Sequence, residues 1–410
     1  MPGTDAHPSA DLRTLTREGV RGMLEAAFPR YHIDYDDASW VHDQELVDPD
    51  RFFGFWSDER WVATCGAFTR TLTVPGGSVP AAAVALVSVS PTHRRQGLLT
   101  RMMHHQLVDV HGRGEPVAAL WASEAPIYGR FGYGSAVPRL TLSGETSRTA
   151  FVPGVRIASG RMEDAPRSTA EVAIPKLHAS LLPARPGAMN REAAHWAQWF
   201  DDPADRRHGA TARRFALHRD PSGTVDGYAA YRVMPGEDYA ELRVEELDAA
   251  SGEVRAALWR YLLDIDLVGR FTAPGALDDS LRHLVANDRL ITTRMSDSLY
   301  VRLVDVEAAL SARSYATELD VVIGVVDAVL PHNHRGFRLT GGPAGMVVSP
   351  SNDEPDLRLD VRELGTIYLG GVSLRDLHLA GLVEESTPGS VADTARAFAA
   401  DRAPFCPDPF

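Results

Sequence analysis

Residues 84 to 107 read VALVSVSPTHRRQGLLTRMMHHQL, an apolar run that stops at Pro91 and resumes with helical spacing. Val84 to Val89 is β-branched and apolar enough for a buried strand, and Pro91 ends it because proline offers no backbone N–H. Leu99, Met102, Met103, Gln106, Leu107 and Val110 then recur at three- and four-residue intervals, which predicts a helix with one apolar face beginning near Gly97. Between strand and helix lies His93-Arg94-Arg95-Gln96-Gly97. A turn of that composition at a helix start offers unpaired N–H groups, a positive dipole end and two guanidinium groups to one anion, and Gly97 lets the backbone approach it closely. The stretch reads as a pyrophosphate site. A basic surface turn capping an amphipathic helix would explain Arg94-Arg95 alone, but the order strand, proline, basic pair, glycine, helix is more specific.

Working outward, Val20, Met23, Leu24, Ala27 and Phe28 fall on one face of a first helix within Thr16 to Phe28. Phe28 to Trp40 reads as a loop whose mixed aromatic and acidic residues suit an ammonium group or pack on the domain. Trp61–Ala67 and Thr69–Val74 read as two strands, and Pro75-Gly76-Gly77-Ser78 as the turn into the central strand. Gly112-Arg113-Gly114 breaks the chain before a short buried strand, Val117 to Trp121, which leads to Tyr128. This is the order of an α+β domain.

From Thr146 to Asp220 the pattern lapses apart from a helical stretch, Arg191 to Phe200. Strands over Gly227–Met234 and Glu241–Leu247 and a helix over Gly252–Leu263 then repeat the first unit. In the loop before that helix Asp248 stands where the first copy has Arg94 and Arg95, and would repel a pyrophosphate; the second copy reads as scaffold. Beyond Tyr300 a helix is expected over Leu303–Arg313, strands over Leu319–Val326, Phe337–Thr340, Met346–Val348 and Asp356–Val361, and a helix over Glu363–Leu369. His332 and His334, with no Cys or acid at ligand spacing, read as an ordinary turn, so no metal is expected.

The segment V-x-V-x-P-x-x-R-R-x-G-L-L, Val87 to Leu99, resembles the acetyl-CoA loop of the GCN5-related N-acetyltransferase (GNAT) superfamily. Leu99, where that loop usually has Gly or Ala, together with the downstream segment Ala122 to Gly134, ASEAPIYGRFGYG, is similar to the enhanced intracellular survival type within it. The resemblance implies two tandem GNAT-like domains, residues 1–147 and a degenerate 148–298, then a sterol-carrier-like α+β domain over 299–410 whose end reaches the active site. It implies acetyl-CoA held by Val87, Ser88, Val89, Arg94, Arg95, Gln96, Gly97, Leu98 and Leu99. It also implies Tyr128 as the acid that protonates the departing thiolate, with Tyr133 left for packing, and the α-carboxylate of Phe410 as base. Trp40 and Leu86 fall at substrate-lining positions; Arg30 and Pro409 replace acidic residues of the family, and Asp408, one step from Pro409, is expected to take over part of that role. A primary amine, aminoglycoside-like or a lysine side chain on a small molecule or peptide, and a homo-hexamer follow from the same resemblance.

The chemistry is consistent with these residues. Acetyl transfer needs a held thioester, a deprotonated amine and a proton donor for the thiolate; a phenol is a neutral donor near pH 7, and the glycines at 129, 132 and 134 leave the backbone free to aim it. A binding protein with a vestigial acyl-CoA site, its last domain carrying a lipid or partner, is the alternative. With 410 residues, two or three domains are expected; the formal charge of −13 argues against nucleic acid as partner. Cys65 and Cys406 are too few for a disulfide framework, the N-terminus has no signal pattern, and no apolar run nears the roughly 18 residues of a membrane span, so a cytoplasmic location is expected.

Overall fold

Alternating and β-branched runs become strands, and three- and four-residue stripes become helices, in a computed structural model that describes residues 10–410. The first unit runs β1 (Asp11–Thr14), α1 (Val20–Ala27), α2 (Asp37–Leu46), β2 (Phe52–Ser57), β3 (Arg60–Val74), β4 (Gly77–Val89), α3 (Leu98–Gly112), β5 (Val117–Trp121), α4 (Ala125–Tyr128) and β6 (Gly134–Glu145). The second runs β7 (Arg161–Ala165), α5 (Arg167–Leu181), α6 (Ala193–Phe200), β8 (Arg214–Arg219), β9 (Val225–Met234), β10 (Ala240–Ala249), α7 (Gly252–Leu263), β11 (Val268–Gly275), α8 (Leu281–Leu284) and β12 (Thr292–Leu303). The remainder comprises α9 (Val306–Ser311), β13 (Leu319–Val326), β14 (Gly336–Gly342), β15 (Gly345–Ser351), β16 (Leu357–Asp360), α10 (Val361–Ile367), α11 (Leu374–Leu379), β17 (Val383–Glu385) and α12 (Ser390–Phe398).

Several elements differ from the expectations. The two strands expected over 61–74 are one, β3, since nothing in Phe68-Thr69 stops the ladder, where Phe68 faces Ala83 and Thr69 faces Ala82. The loop expected over 28–40 contains a 3₁₀ turn, Phe28–Tyr31, and the start of α2, because the Asp36 carboxylate caps that helix by accepting from the Ser39 N–H at 2.8 Å. The helix expected from Leu303 starts only at Val306, capped by Asp305. Helix α5 has no counterpart in the sequence reading because Pro175 lies inside it; nor do β6, whose apolar pattern is broken by Pro138, and β12, which begins with a polar run.

The first twelve strands form one sheet in the order β1-β2-β3-β4-β5-β12-β6-β11-β10-β9-β8-β7. Its middle is an exchange. Leu299–Leu303 of β12, from the end of the second unit, pair with Val117–Trp121, whereas Leu140–Glu145 of β6, from the first unit, pair with β11. Each unit therefore completes the other's sheet, and the two copies cannot part without breaking ladders. The five-stranded sheet β15-β14-β13-β16-β17 lies apart, and its helix α10 packs on β6 and β12. Contact there is close enough that a Cβ at Gly134 would meet the Arg362 carbonyl at 2.0 Å. That glycine is thus required by domain packing, not by the aiming of Tyr128.

One buried ion pair ties these parts together. The Arg302 guanidinium on β12 donates to the Asp327 carboxylate at 2.6 Å and to the Phe131 carbonyl at 2.8 Å, with side chains 0% and 1% exposed. Asp327 also accepts from the Val329 and Leu330 N–H groups; against burial, these partners hold its pKa below the ordinary value. Asp327→Ala leaves a guanidinium buried without its counter-ion, and a loss of about 3–5 kcal/mol is expected in denaturant unfolding. A loss below about 1 kcal/mol would mean that water reaches Arg302.

Among the described residues no helix is long and apolar enough to cross a membrane, and no group of three or more His, Cys, Asp or Glu could hold a metal. In the expected turn, the His332 Nε2 lies 2.9 Å from the Val304 carbonyl and its ring stacks on His111.

Candidate active site

The site begins with a defect in β4. In the ladder with β3, Thr64 faces Ser88 and Gly66 faces Ala85, so Leu86 and Val87 together oppose Cys65 alone. This is a bulge, and Leu86 absorbs it at φ 54°, a costly angle for leucine. On its other side β4 pairs with β5 only from Ala81–Val117 to Val84–Leu120. Beyond that point the strands diverge, and residues 85–89 are left outside the β4–β5 ladder, facing an opening. The bulge is braced from behind: the Tyr31 hydroxyl donates to the Val87 carbonyl at 2.7 Å, and Arg30 donates to Ser88 Oγ at 2.9 Å and to the Trp61 carbonyl. Arg30 thereby supports the strand rather than lining the acceptor space.

At the end of β4 the chain turns into α3 as the sequence predicts. Arg94, Arg95, Gln96 and Gly97 are exposed, Leu98 is buried and Leu99 half-buried. Arg95 and Gly97 both adopt positive φ, 61° and 76°, and α3 starts without a side-chain cap. Its first N–H groups are therefore directed at whatever occupies the turn. Neither Arg94 nor Arg95 is ion-paired to a carboxylate among the described residues. A Cβ at Gly97 would meet nothing within 4 Å, so the space before the helix is open and fits a pyrophosphate. Gly97→Asp should fold normally, because aspartate tolerates positive φ, yet its carboxylate would sit against the anion. Titration calorimetry is expected to give one acetyl-CoA per native chain and at least a roughly hundredfold weaker Kd for the variant, about 2.7 kcal/mol. Unchanged affinity would remove this turn from the site.

The second unit repeats the scaffold without the anion site. β10 bulges at Glu245 and leaves β11 after Arg243–Thr272. Here, however, Ser251 caps α7 by accepting from the Val254 N–H at 3.2 Å, and Glu253 occupies the first turn. Asp248 lies within the end of β10 rather than in the loop; burial raises its pKa.

The two divergences face a common cavity of about 810 Å³. Leu86, Val87 and Tyr128 line it from the first unit, Arg191, His195 and Trp199 from the second, and Pro407 to Phe410 from the chain end. Trp40 is not among its lining residues; it packs beside Leu86 on the cluster of Leu15, Val20 and Phe52. Tyr128 is 4% exposed, with Ser123 beside its hydroxyl, and burial pushes its pKa up to about 12. Tyr133 lies behind it, ring centroids 6.1 Å apart, with its hydroxyl buried and without a partner among the described residues.

The tail is built in rather than frayed. Arg185 donates to the Ala403 carbonyl and the Phe405 N–H to the Pro186 carbonyl, both at 2.8 Å, Cys406 is fully buried, and Phe410 packs on the core between sheet and last domain. Asp408 requires a correction: it lines the cavity, but Arg191 at 2.6 Å and Arg70 at 3.3 Å occupy its carboxylate. Its job is to anchor the tail, and it is not free to replace the missing acid. Arg191, which also binds Glu246 at 2.7 Å, has no distinguishing pattern in the sequence.

Comparison with known proteins follows the same division. Models described as Acetyltransferase (GNAT) domain match residues 11–136 and 187–303, and one described as Sterol carrier protein domain matches 306–407. An uncharacterized N-acetyltransferase of Streptomyces avermitilis is 42% identical over 373 residues, 90% of this chain and 91% of that protein. N-acetyltransferase Eis of Mycobacterium tuberculosis is 33% identical over 339 residues, 80% and 81% of the two chains. The crystal structure of Eis1 from Mycobacterium abscessus, 32% identical, superposes with a TM-score of 0.85 over 98% of this chain and 100% of that one.

Proposed function

As the chain belongs to the Eis-like N-acetyltransferases of the GNAT superfamily, we propose that it transfers the acetyl group of acetyl-CoA directly to a primary amine held in the three-walled cavity. The observation that carries this reading is convergence: the divergent end of β4, the Tyr128 phenol and the chain's own C-terminus meet at one space. Val87 to Val89 would hold the pantetheine arm, and the turn from Arg94 to Leu99 the pyrophosphate. The amine nitrogen attacks the thioester carbonyl carbon, the C–S bond breaks, the thiolate sulfur takes the Tyr128 proton, and the Phe410 carboxylate takes the proton lost by nitrogen. Backbone N–H groups left free beyond the β4–β5 ladder would polarise the carbonyl.

Membership in a family of N-acetyltransferases favours this over a binding protein with a vestigial site. The acceptor is then an aminoglycoside-like polyamine or a lysine-type amine, and a hexameric, cytoplasmic enzyme is part of the same proposal. The test is release of free thiol from acetyl-CoA across a panel of amines. Amine-dependent thiol release with a mass gain on the amine supports the reading; binding of acetyl-CoA with no transfer to any amine would overturn it.

A further inference from the structure

Five arginines line the cavity, Arg70, Arg139, Arg191, Arg213 and Arg243, against four carboxylate side chains. Three of those carboxylates are already paired with arginines. Asp408 binds Arg191 and Arg70, Glu246 binds Arg191 and the Tyr228 hydroxyl, and Glu245 binds Arg213 and Arg232. The fourth, Asp43, accepts from Gln198 at 3.1 Å, and burial raises its pKa. A polycation entering this space finds three of the four side-chain carboxylates already paired with arginines.

Arg139 is the opposite case. It stands on β6, opposite Ser296 of β12, with its guanidinium 5.9 Å from the Trp121 ring centroid at the divergent end of β5. No carboxylate reaches it among the described residues; the side chain is half-buried, and burial lowers its pKa. His195, on the facing wall, is held near pKa 4 by burial and then by the charge of Arg70. A half-buried guanidinium without a counter-ion gains from a ligand that completes it, and its planar fork matches a carboxylate.

We propose that the acceptor amine carries a carboxylate that Arg139 receives, so the substrate class is an amino acid rather than a polycation. One guanidinium balances one negative charge, which suits a carboxylate better than a phosphate dianion. The inference rests on the cavity being the acceptor site.

Lysine and 1,5-diaminopentane present the same aminoalkyl chain and differ by the carboxylate alone. The full-length enzyme is expected to favour lysine by about ten- to hundredfold in kcat/KM, mostly through KM, as for one charge-assisted pair. Arg139→Gln should bring that ratio to about 1, and Arg139→Lys should restore part of it. Equal or better use of 1,5-diaminopentane by the native enzyme overturns the inference, as does a parallel loss of both amines in Arg139→Gln. Should Arg139→Gln fail to fold, the native comparison and Arg139→Lys decide it. If polyamines are acetylated and the carboxylate makes no difference, only this inference falls. If no amine is acetylated, the acetyltransferase reading of the cavity falls with it.

Discussion

Tyr128→Phe is expected to lower turnover by roughly 10²- to 10⁴-fold, the range for a lost general acid, with the affinity for acetyl-CoA little changed. The phenol lies in the cavity and packs on the ring of Tyr133 behind it, so removing one oxygen takes away the proposed proton donor and leaves the packing. Burial, which pushes the Tyr128 pKa to about 12, also fixes the sign of the pH dependence. The phenol stays protonated through the alkaline range, so its ionisation should cause no fall in kcat below about pH 11. Tyr133→Phe is the control: its hydroxyl has no partner to lose among the described residues, and activity and stability should change little. A profile in which Tyr133→Phe is the crippled variant would reverse the assignment.

Extending the chain by a few residues beyond Phe410 should reduce kcat by a similar roughly 10²- to 10⁴-fold, the usual contribution of a general base, while acetyl-CoA still binds. The extension moves the α-carboxylate and retains every side chain. The segment before it is held by Arg185, Pro186, Arg191 and Arg70, so the added residues cannot be accommodated by the tail sliding back. Asp408→Asn offers a contrast. It weakens the clamp without moving the carboxylate's place in the sequence, and its effect should be smaller and partly relieved by lower temperature, where the tail stays docked. A fully active extended enzyme would reduce the tail to packing.

The strand–turn–helix of residues 84–112 is legible in the sequence because every signal in it is local. Pro91 ends pairing, Gly97 takes positive φ, and the apolar stripe from Leu99 to Val110 has the helical period, each acting within a few residues. The repeat over Gly227–Leu263 and the change of character after Tyr300 are legible for the same reason, and with them the family. What local signals cannot carry is pairing between distant segments. The exchange of β6 and β12 depends on ladders between residues more than 120 positions apart, and both strands have mixed patterns because parts of each face solvent or the last domain. The engagement of Asp408 is of the same kind: read in sequence it is an acid next to the place where one is missing, and only Arg70, 338 positions away, and Arg191, 217 away, make it a clamp. Arg139 is the converse, one arginine among many in the sequence, set apart in the fold because none of the described carboxylates was brought to it. Charge pairing acts through space at a few ångströms, and chain order does not encode which carboxylate will lie within that distance.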